Sequence, residues 1–377
     1  MRYFLILAIT AVFLFYPNAA FAVYDPTSVP NNKFGIHILY PSEISKASEL
    51  VNSSSGDWGY VTVPIQAGDK DLLKWQKFMD DSKSLHLIPI IRLATEGDYF
   101  NTKVWRKPNL SDVLDFSNFL SSLNWPTKNR YIIVFNEVNR ADEWGGNVNP
   151  SEYARILSYT TTVFKSNNQD FFIIASGMDN ASVNTNEAMN EYDYFSQMNA
   201  SIPGIFNQID GISSHSYPNP GFSQPSSFLS TKTIDTFYYE KRFIEGLSSK
   251  VFPVFITETG WDSEKLSKNQ ISSFYKEAFE RVWNDPSVVA VTPFIFSASL
   301  GPFTKFSFLD NQGNPNEIHK SYASLQKNKG APLLADEVKV LASSSTKDLP
   351  IKDYSNHISK LIRIEKVEKI IKAFFRF

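Results

Sequence analysis

Two acids in this chain stand where acids can do chemistry. Residues 131–139 read Tyr-Ile-Ile-Val-Phe-Asn-Glu-Val-Asn, a short β-branched apolar run that breaks off at Asn136 and Glu137. Far downstream, residues 254–257 (Val-Phe-Ile-Thr) run into Glu258, which is followed by Thr259, Gly260 and Trp261. A short apolar run bounded by polar residues is the pattern of a strand covered on both faces, as in a parallel sheet, and a buried helix segment gives the same pattern. Carboxylates at the exits of two parallel strands suggest a paired-acid active site. The dipeptide Asn-Glu is no signal by itself, because Asn186-Glu187, Asn190-Glu191 and Asn316-Glu317 repeat it in polar settings. Only Asn136-Glu137 ends an apolar strand.

The elements that must position these acids alternate along the chain. Apolar runs fall at residues 34–39, 60–63, 87–93, 131–135, 171–175, 209–212, 254–257 and 288–296. Helical patterns lie between and after them, at 42–51, 70–84, 110–123, 150–164, 187–198, 234–247, 271–283 and 316–326. Ser111 before Asp112 reads as a helix start, and so does Asn149 with Pro150 at the first helical position. Eight strand-helix units describe an α/β chain folded as a (β/α)8 TIM barrel over residues 33–330, better than an open sheet of five or six strands. In such barrels the chemistry lies at the carboxyl ends of the strands, where Glu137 and Glu258 are both expected.

The 377 residues are 42% hydrophobic, 20% charged and 15% aromatic, with a net charge of -2. That is enough chain for one large core, and no basic run crosses the barrel region, so nucleic acid is not an expected partner. Arg2, the apolar run at 3–16 and Ala20-Phe21-Ala22 fit a secretory signal peptide over 1–22, which predicts a secreted, periplasmic or cell-envelope protein. A short leader at 23–32 follows it. Beyond the barrel, 331–357 reads as a linker and 358–377 as a basic amphipathic helix that packs on the barrel or contacts a membrane surface or envelope partner.

Several chemistries lack their residues. There is no cysteine, so disulfides and thiolate chemistry are excluded. His37, His86, His215, His319 and His357 show no metal-ligand spacing, and no metal or other cofactor is expected. Neither a Gly-x-Ser-x-Gly elbow nor a phosphate-binding glycine loop is present.

Taken together, Asn136-Glu137 after the fourth strand, His215-Ser216-Tyr217 after the sixth and Glu258-Thr259-Gly260-Trp261 after the seventh resemble the retaining glycoside hydrolases of clan A. The cellulase-like, mannanase-like and xylosidase-like branches share these features. The resemblance implies a secreted enzyme that cleaves a β-linked poly- or oligosaccharide, with Glu137 as general acid/base and Glu258 as nucleophile. Cleaving a glycosidic bond needs a proton for the leaving oxygen and a negative group behind the anomeric carbon, and retention predicts carboxyl groups about 5 to 5.5 Å apart. By the same resemblance Asn136 would bind the sugar 2-hydroxyl. Arg92 and Tyr217 are expected to hold Glu258, His215 to bind substrate hydroxyls, and His37 and Tyr40 to line the cleft. Trp261 and Trp144 are candidate stacking platforms. Many clan members carry a Trp at the end of the eighth strand, whereas residues 292–297 here read Thr-Pro-Phe-Ile-Phe-Ser, so Phe294 or Phe296 would substitute. Two other readings share the barrel: a transglycosidase, and a non-catalytic glycan-binding or envelope scaffold.

Overall fold

The β-branched runs form eight parallel strands, paired in chain order as the alternation predicts. They are β1 (Gly35–His37), β2 (Gly59–Gln66), β3 (Leu87–Ala94), β4 (Arg130–Val134), β5 (Phe171–Ala175), β6 (Gly211–His215), β7 (Val254–Glu258) and β8 (Val288–Val291). The structure is a computed structural model, and residues 23–99 and 101–335 are described. The predicted signal peptide, most of the linker and the terminal helix lie outside them. Phe34 bridges Val291 in parallel, and the His37 N–H donates to the Pro293 carbonyl over 3.0 Å, so the sheet is a nearly closed barrel.

Helices α1 (Ile44–Val51), α2 (Leu72–Ser84), α3 (Leu110–Ser122), α4 (Pro150–Asn167), α5 (Glu191–Ser201), α6 (Thr236–Gly246), α7 (Lys268–Glu277) and α8 (Glu317–Ser324) each follow a strand. In six of them a side chain caps the first N–H groups, for instance Asp71 at α2 and Asn149 at α4, whereas α1 and α6 have no such cap. At α3 the cap is Asn109, which accepts from the Asp112 N–H while Asp112 reaches back, and Ser111 lies in the first turn as expected. The helix expected from residue 187 starts at Glu191, because Thr185 and Ala188 form a turn before Asn190 caps it.

The strand period of two sorts the core into two layers. Val61, Ile91, Ile132, Ile173 and Ile256 point outward and pack with helix residues such as Trp75, Phe116 and Phe164. Tyr60, Ile88, Ile90, Tyr131, Ile133, Phe172, Ile174 and Phe255 form a separate cluster inside the barrel. Next along the barrel comes a belt of hydroxyls. Thr62 meets Thr292 at 2.9 Å, Thr292 also donates to the Thr257 carbonyl, and Ser213 is bonded to the Thr257 hydroxyl. On β3 the same face continues from Ile88 and Ile90 to Arg92, where the charged groups begin.

The opposite end of the barrel is covered by the leader. Val23 packs on the inner cluster, and Tyr24 exchanges two backbone bonds with the Asn129 side chain. The first residues of the expected linker belong here too, because the Leu333 carbonyl accepts from the Lys128 N–H and Leu334 bridges Thr127.

Between α5 and α6, Glu191 and Glu240 are each only 1% exposed. Burial raises the pKa of both carboxyls, and the Glu240 charge raises that of Glu191 further. One proton shared between two buried acids avoids a like-charge pair. The folded chain thus keeps protons that the unfolded chain releases, so this stability is fully present in acid, below the unfolded carboxyl pKa, and is lost as pH rises through the raised values. The Tm is therefore expected to fall between about pH 5 and about pH 8, and to fall by several degrees less in Glu240→Gln. Calorimetry at the two pH values checks this, and equal falls would rule out the shared proton.

Candidate active site

The exit of β4 breaks the strand rule. Phe135 and Glu137 have φ of 67° and 35°, in the left-handed region that residues other than glycine seldom enter. The turn is held by the Glu137 N–H donating to the Gly177 carbonyl over 3.0 Å and the Arg140 N–H donating to the Glu137 carbonyl over 2.9 Å. It brings Asn136 and Glu137 into the cleft at the carboxyl end of the barrel. From the other side, a shift in register pairs His215 at the end of β6 with Glu258 at the end of β7.

Three side chains meet there. His215 Nδ1 lies 2.9 Å from Glu137 Oε1 and 3.8 Å from Glu258 Oε2, and the facing atoms of the three residues all lie within 4.8 Å of one another. Arg92 Nη1 donates to Glu258 Oε1 over 2.8 Å and to Asn136 Oδ1 over 2.5 Å. The Tyr217 hydroxyl donates to Glu258 Oε2 over 3.1 Å. Arg140 Nη1 stands 3.5 Å from Glu137 Oε2, while its other nitrogens grip Asp142 at 3.0 and 2.7 Å. Burial pulls the His215 pKa down, but the Glu258 and Glu137 carboxylates outweigh it and raise the value above that of an ordinary imidazole. His37, fully buried and 3.7 Å from Glu258, goes the other way, because burial and the Arg92 charge favour its neutral form.

The acids open onto a cavity of about 540 Å³ whose walls include Tyr99, Trp105, Phe222, Phe294 and Phe303. Trp105 stacks on Tyr99 with ring centres 5.8 Å apart and keeps part of its surface exposed. Asn136, with its Oδ1 occupied by Arg92, has its amide nitrogen left to donate into the cleft.

The structure thus brings together Glu137, Glu258, Asn136, Arg92, Tyr217 and Phe294 as the sequence predicts, and it corrects the other assignments. Trp144 and Trp261 are 0% and 1% exposed, so neither can offer a face to a sugar. Their indole N–H groups are taken by Glu152 and by the Gln224 carbonyl, and Trp261 packs on Tyr275. His215 is buried outside the cavity lining, with its Nδ1 between the two acids. His37 lies behind Glu258 and Tyr40 faces solvent, so neither lines the cavity. Phe296 is buried in the outer layer.

Sequence reading missed Tyr99, Trp105, Arg140, Glu143 and Gly177. The first four sit on loops that leave β3 and β4, and their position at a strand exit was the available signal. A Cβ on Gly177 would come within 2.3 Å of the His215 ring, so only glycine lets the imidazole approach that backbone so closely. Glu137, His215 and Glu258 are also spaced so that they could ligate a cation. Arg92 and Arg140 already bring positive charge to these carboxylates, which disfavours another cation at the same place.

A family model described as the glycosyl hydrolase catalytic core matches residues 100–322. No curated protein matches the chain. Among solved structures, a family 39 glycoside hydrolase from Bacteroides cellulosilyticus WH2 is 15% identical with a TM-score of 0.55, the match covering 81% of this chain and 65% of that one. A GH39 beta-xylosidase from Caulobacter crescentus is 16% identical with a TM-score of 0.55, covering 82% and 74%. A GH5_18 protein from Streptomyces cattleya, in complex with Manb1-4GlcNAc, is 12% identical with a TM-score of 0.56, covering 78% and 80%. At these identities the likeness speaks for the barrel alone.

The electrostatics of His215 can be read directly. Its imidazole proton resonances are expected to titrate above the ordinary value of about 6.5, and Glu258→Gln should move the midpoint down. A midpoint that Glu258→Gln leaves in place would remove Glu258 as the source of the shift.

Proposed function

Because the chain belongs to the glycosyl hydrolase catalytic core family, we propose that it is a retaining glycoside hydrolase acting on a β-linked poly- or oligosaccharide. The observation that carries this reading is the Glu137–Glu258 pair, with facing oxygens within 4.8 Å at the carboxyl ends of β4 and β7. That spacing suits double displacement, since an inverting enzyme keeps its carboxyls about 6.5–9.5 Å apart to admit a water between sugar and base.

Glu137 gives its proton to the leaving oxygen while Glu258 attacks the anomeric carbon. The bond to the leaving group breaks and a glycosyl ester forms on Glu258. Water then enters, Glu137 takes its proton, and the ester is cleaved with the original configuration restored. Arg92 and Tyr217 occupy both oxygens of Glu258 with donors, which holds the nucleophile in orientation. The amide of Asn136, fixed by Arg92, is placed to donate to the sugar 2-hydroxyl. Export is part of this proposal, and it rests on the sequence pattern at residues 1–22.

Incubation with a panel of 2-deoxy-2-fluoro-β-D-glycosyl fluorides (gluco, xylo, manno and galacto), followed by intact-mass and peptide mapping, is expected to give one adduct, on Glu258. An adduct on another residue would displace Glu258 from the role. Replacing Glu137 by Ala should lower kcat about 10²- to 10⁴-fold for a sugar leaving group. The loss should be far smaller for a 2,4-dinitrophenyl glycoside, whose leaving group needs no proton. Equal losses on both substrates would show that Glu137 is not the general acid.

A further inference from the structure

Besides Glu137 and Glu258, three acids line the cleft, Asp142, Asp179 and Glu143. Glu143 lies on the loop between β4 and α4 and lines the same cavity as Glu137, Trp105 and Tyr99. The loop is fixed at several points. Trp144, the next residue, is anchored in the core against Phe135 and Tyr153. The Trp105 N–H donates to the Asp142 carbonyl over 2.6 Å, and the Gly145 N–H donates to the Trp105 carbonyl over 2.7 Å. These two bonds bracket Glu143 and run its backbone alongside that of Trp105, and both residues line the cavity.

Glu143 differs from its acidic neighbours in what compensates it. Arg140 grips Asp142 and approaches Glu137 and Asp179, and it makes no ion pair with Glu143. Desolvation among the cavity walls, joined by the charge of Glu137 whenever that acid is ionised, outweighs the Arg92 and Arg140 charges and pushes the partly exposed Glu143 carboxyl up to about 8. At neutral pH it is therefore mostly a neutral acid, able both to donate and to accept a hydrogen bond, and sugar hydroxyls take both. An apolar ring beside such a group is the usual pairing for a sugar, with one face stacked and the edge hydrogen-bonded.

The reading of Glu137 as general acid fixes which sugar this is. The acid stands over the leaving oxygen, so groups that share its loop meet the leaving half of the substrate. We propose that Glu143 and Trp105 form the subsite that holds the leaving-group sugar, and that an acceptor sugar entering in its place is held by the same pair. The inference rests on the proposed roles of Glu137 and Glu258 and adds to them a residue that selects the substrate without touching the reacting atoms.

The test uses the full chain trapped with the 2-deoxy-2-fluoro glycosyl fluoride panel. Release of the adduct is followed by intact mass in buffer alone and with methyl β-D-glucoside, methyl β-D-xyloside or methyl β-D-mannoside as acceptor. The quantity read is the release rate with acceptor divided by the rate without. This ratio should exceed one for at least one acceptor in the unaltered protein and fall about tenfold in Glu143→Ala, the weight of one hydrogen bond to a sugar. Glu143→Gln, whose amide donates as the neutral acid does, should keep most of it. Raising the pH through about 8 should lower the ratio in the unaltered protein and leave that of E143Q in place.

A ratio unchanged in E143A, or no acceleration by any acceptor in the unaltered protein, overturns the subsite while the adduct on Glu258 still stands. If no fluoride in the panel forms an adduct, the nucleophile assignment falls, and the subsite falls with it. Should E143A fail to fold, the pH response of the unaltered protein against E143Q decides.

Discussion

Two carboxylates held close together in a partly buried site must be compensated. With facing oxygens within 4.8 Å and side chains 14% and 9% exposed, Glu137 and Glu258 would, if both were ionised, repel each other by roughly 3 kcal/mol at an effective dielectric of about 20. The compensation is distributed unevenly. Glu258 has Arg92 at 2.8 Å and the Tyr217 hydroxyl at 3.1 Å, whereas Glu137 has Arg140 at 3.5 Å and His215 at 2.9 Å. One partner faces both acids, because His215 also stands 3.8 Å from Glu258. The rest of the site follows from keeping these donors in place.

The barrel meets that requirement by converging strand ends. Arg92 comes from β3, Glu137 from the exit of β4, Gly177 from beyond β5, His215 from β6 and Glu258 from β7. Below them the hydroxyl belt of Thr62, Thr292, Thr257 and Ser213 satisfies polar groups among themselves, and beneath it the lumen is apolar. Charges are thus confined to the open end, where water and substrate reach them, and the desolvation cost of burying them deeper is avoided. The left-handed turn at Phe135 and Glu137 is a strained feature tolerated at such a site, pinned by backbone bonds to Gly177 and Arg140.

What could be read from the sequence was whatever the strand period controls. All eight strands, the position of Glu137 and Glu258 at their exits, and the inward face of Arg92 follow from apolar runs and alternation. Side-chain direction after a strand ends does not, because loop conformation sets it through distant contacts. Trp144 and Trp261 look like platforms in sequence, yet both turn into the core, where Glu152 and the Gln224 carbonyl satisfy their N–H groups. The partly exposed ring in the cavity wall is Trp105, whose place depends on its bond to Asp142, thirty-seven residues further along the chain. Glu191 and Glu240 come together from two different helices, and no local pattern announces the pair. His215 was found by its position at a strand exit, but sequence does not say that its Nδ1 turns toward Glu137 and Glu258.

On the proposed roles, the geometry also accounts for charge through the whole cycle. At rest Glu137 carries the proton and Glu258 the negative charge. In the glycosyl-enzyme, Glu258 is an ester and Glu137 is the carboxylate. The pair therefore holds one negative charge at both stages, and only its location changes. An imidazole whose Nδ1 is 2.9 Å from one acid and 3.8 Å from the other can follow that charge without moving. The absence of a side chain at Gly177 leaves room for the ring at that place. A fixed donor set around a charge that hops between two fixed acids needs little reorganisation as the reaction proceeds, which is the condition under which electrostatic stabilisation is most effective.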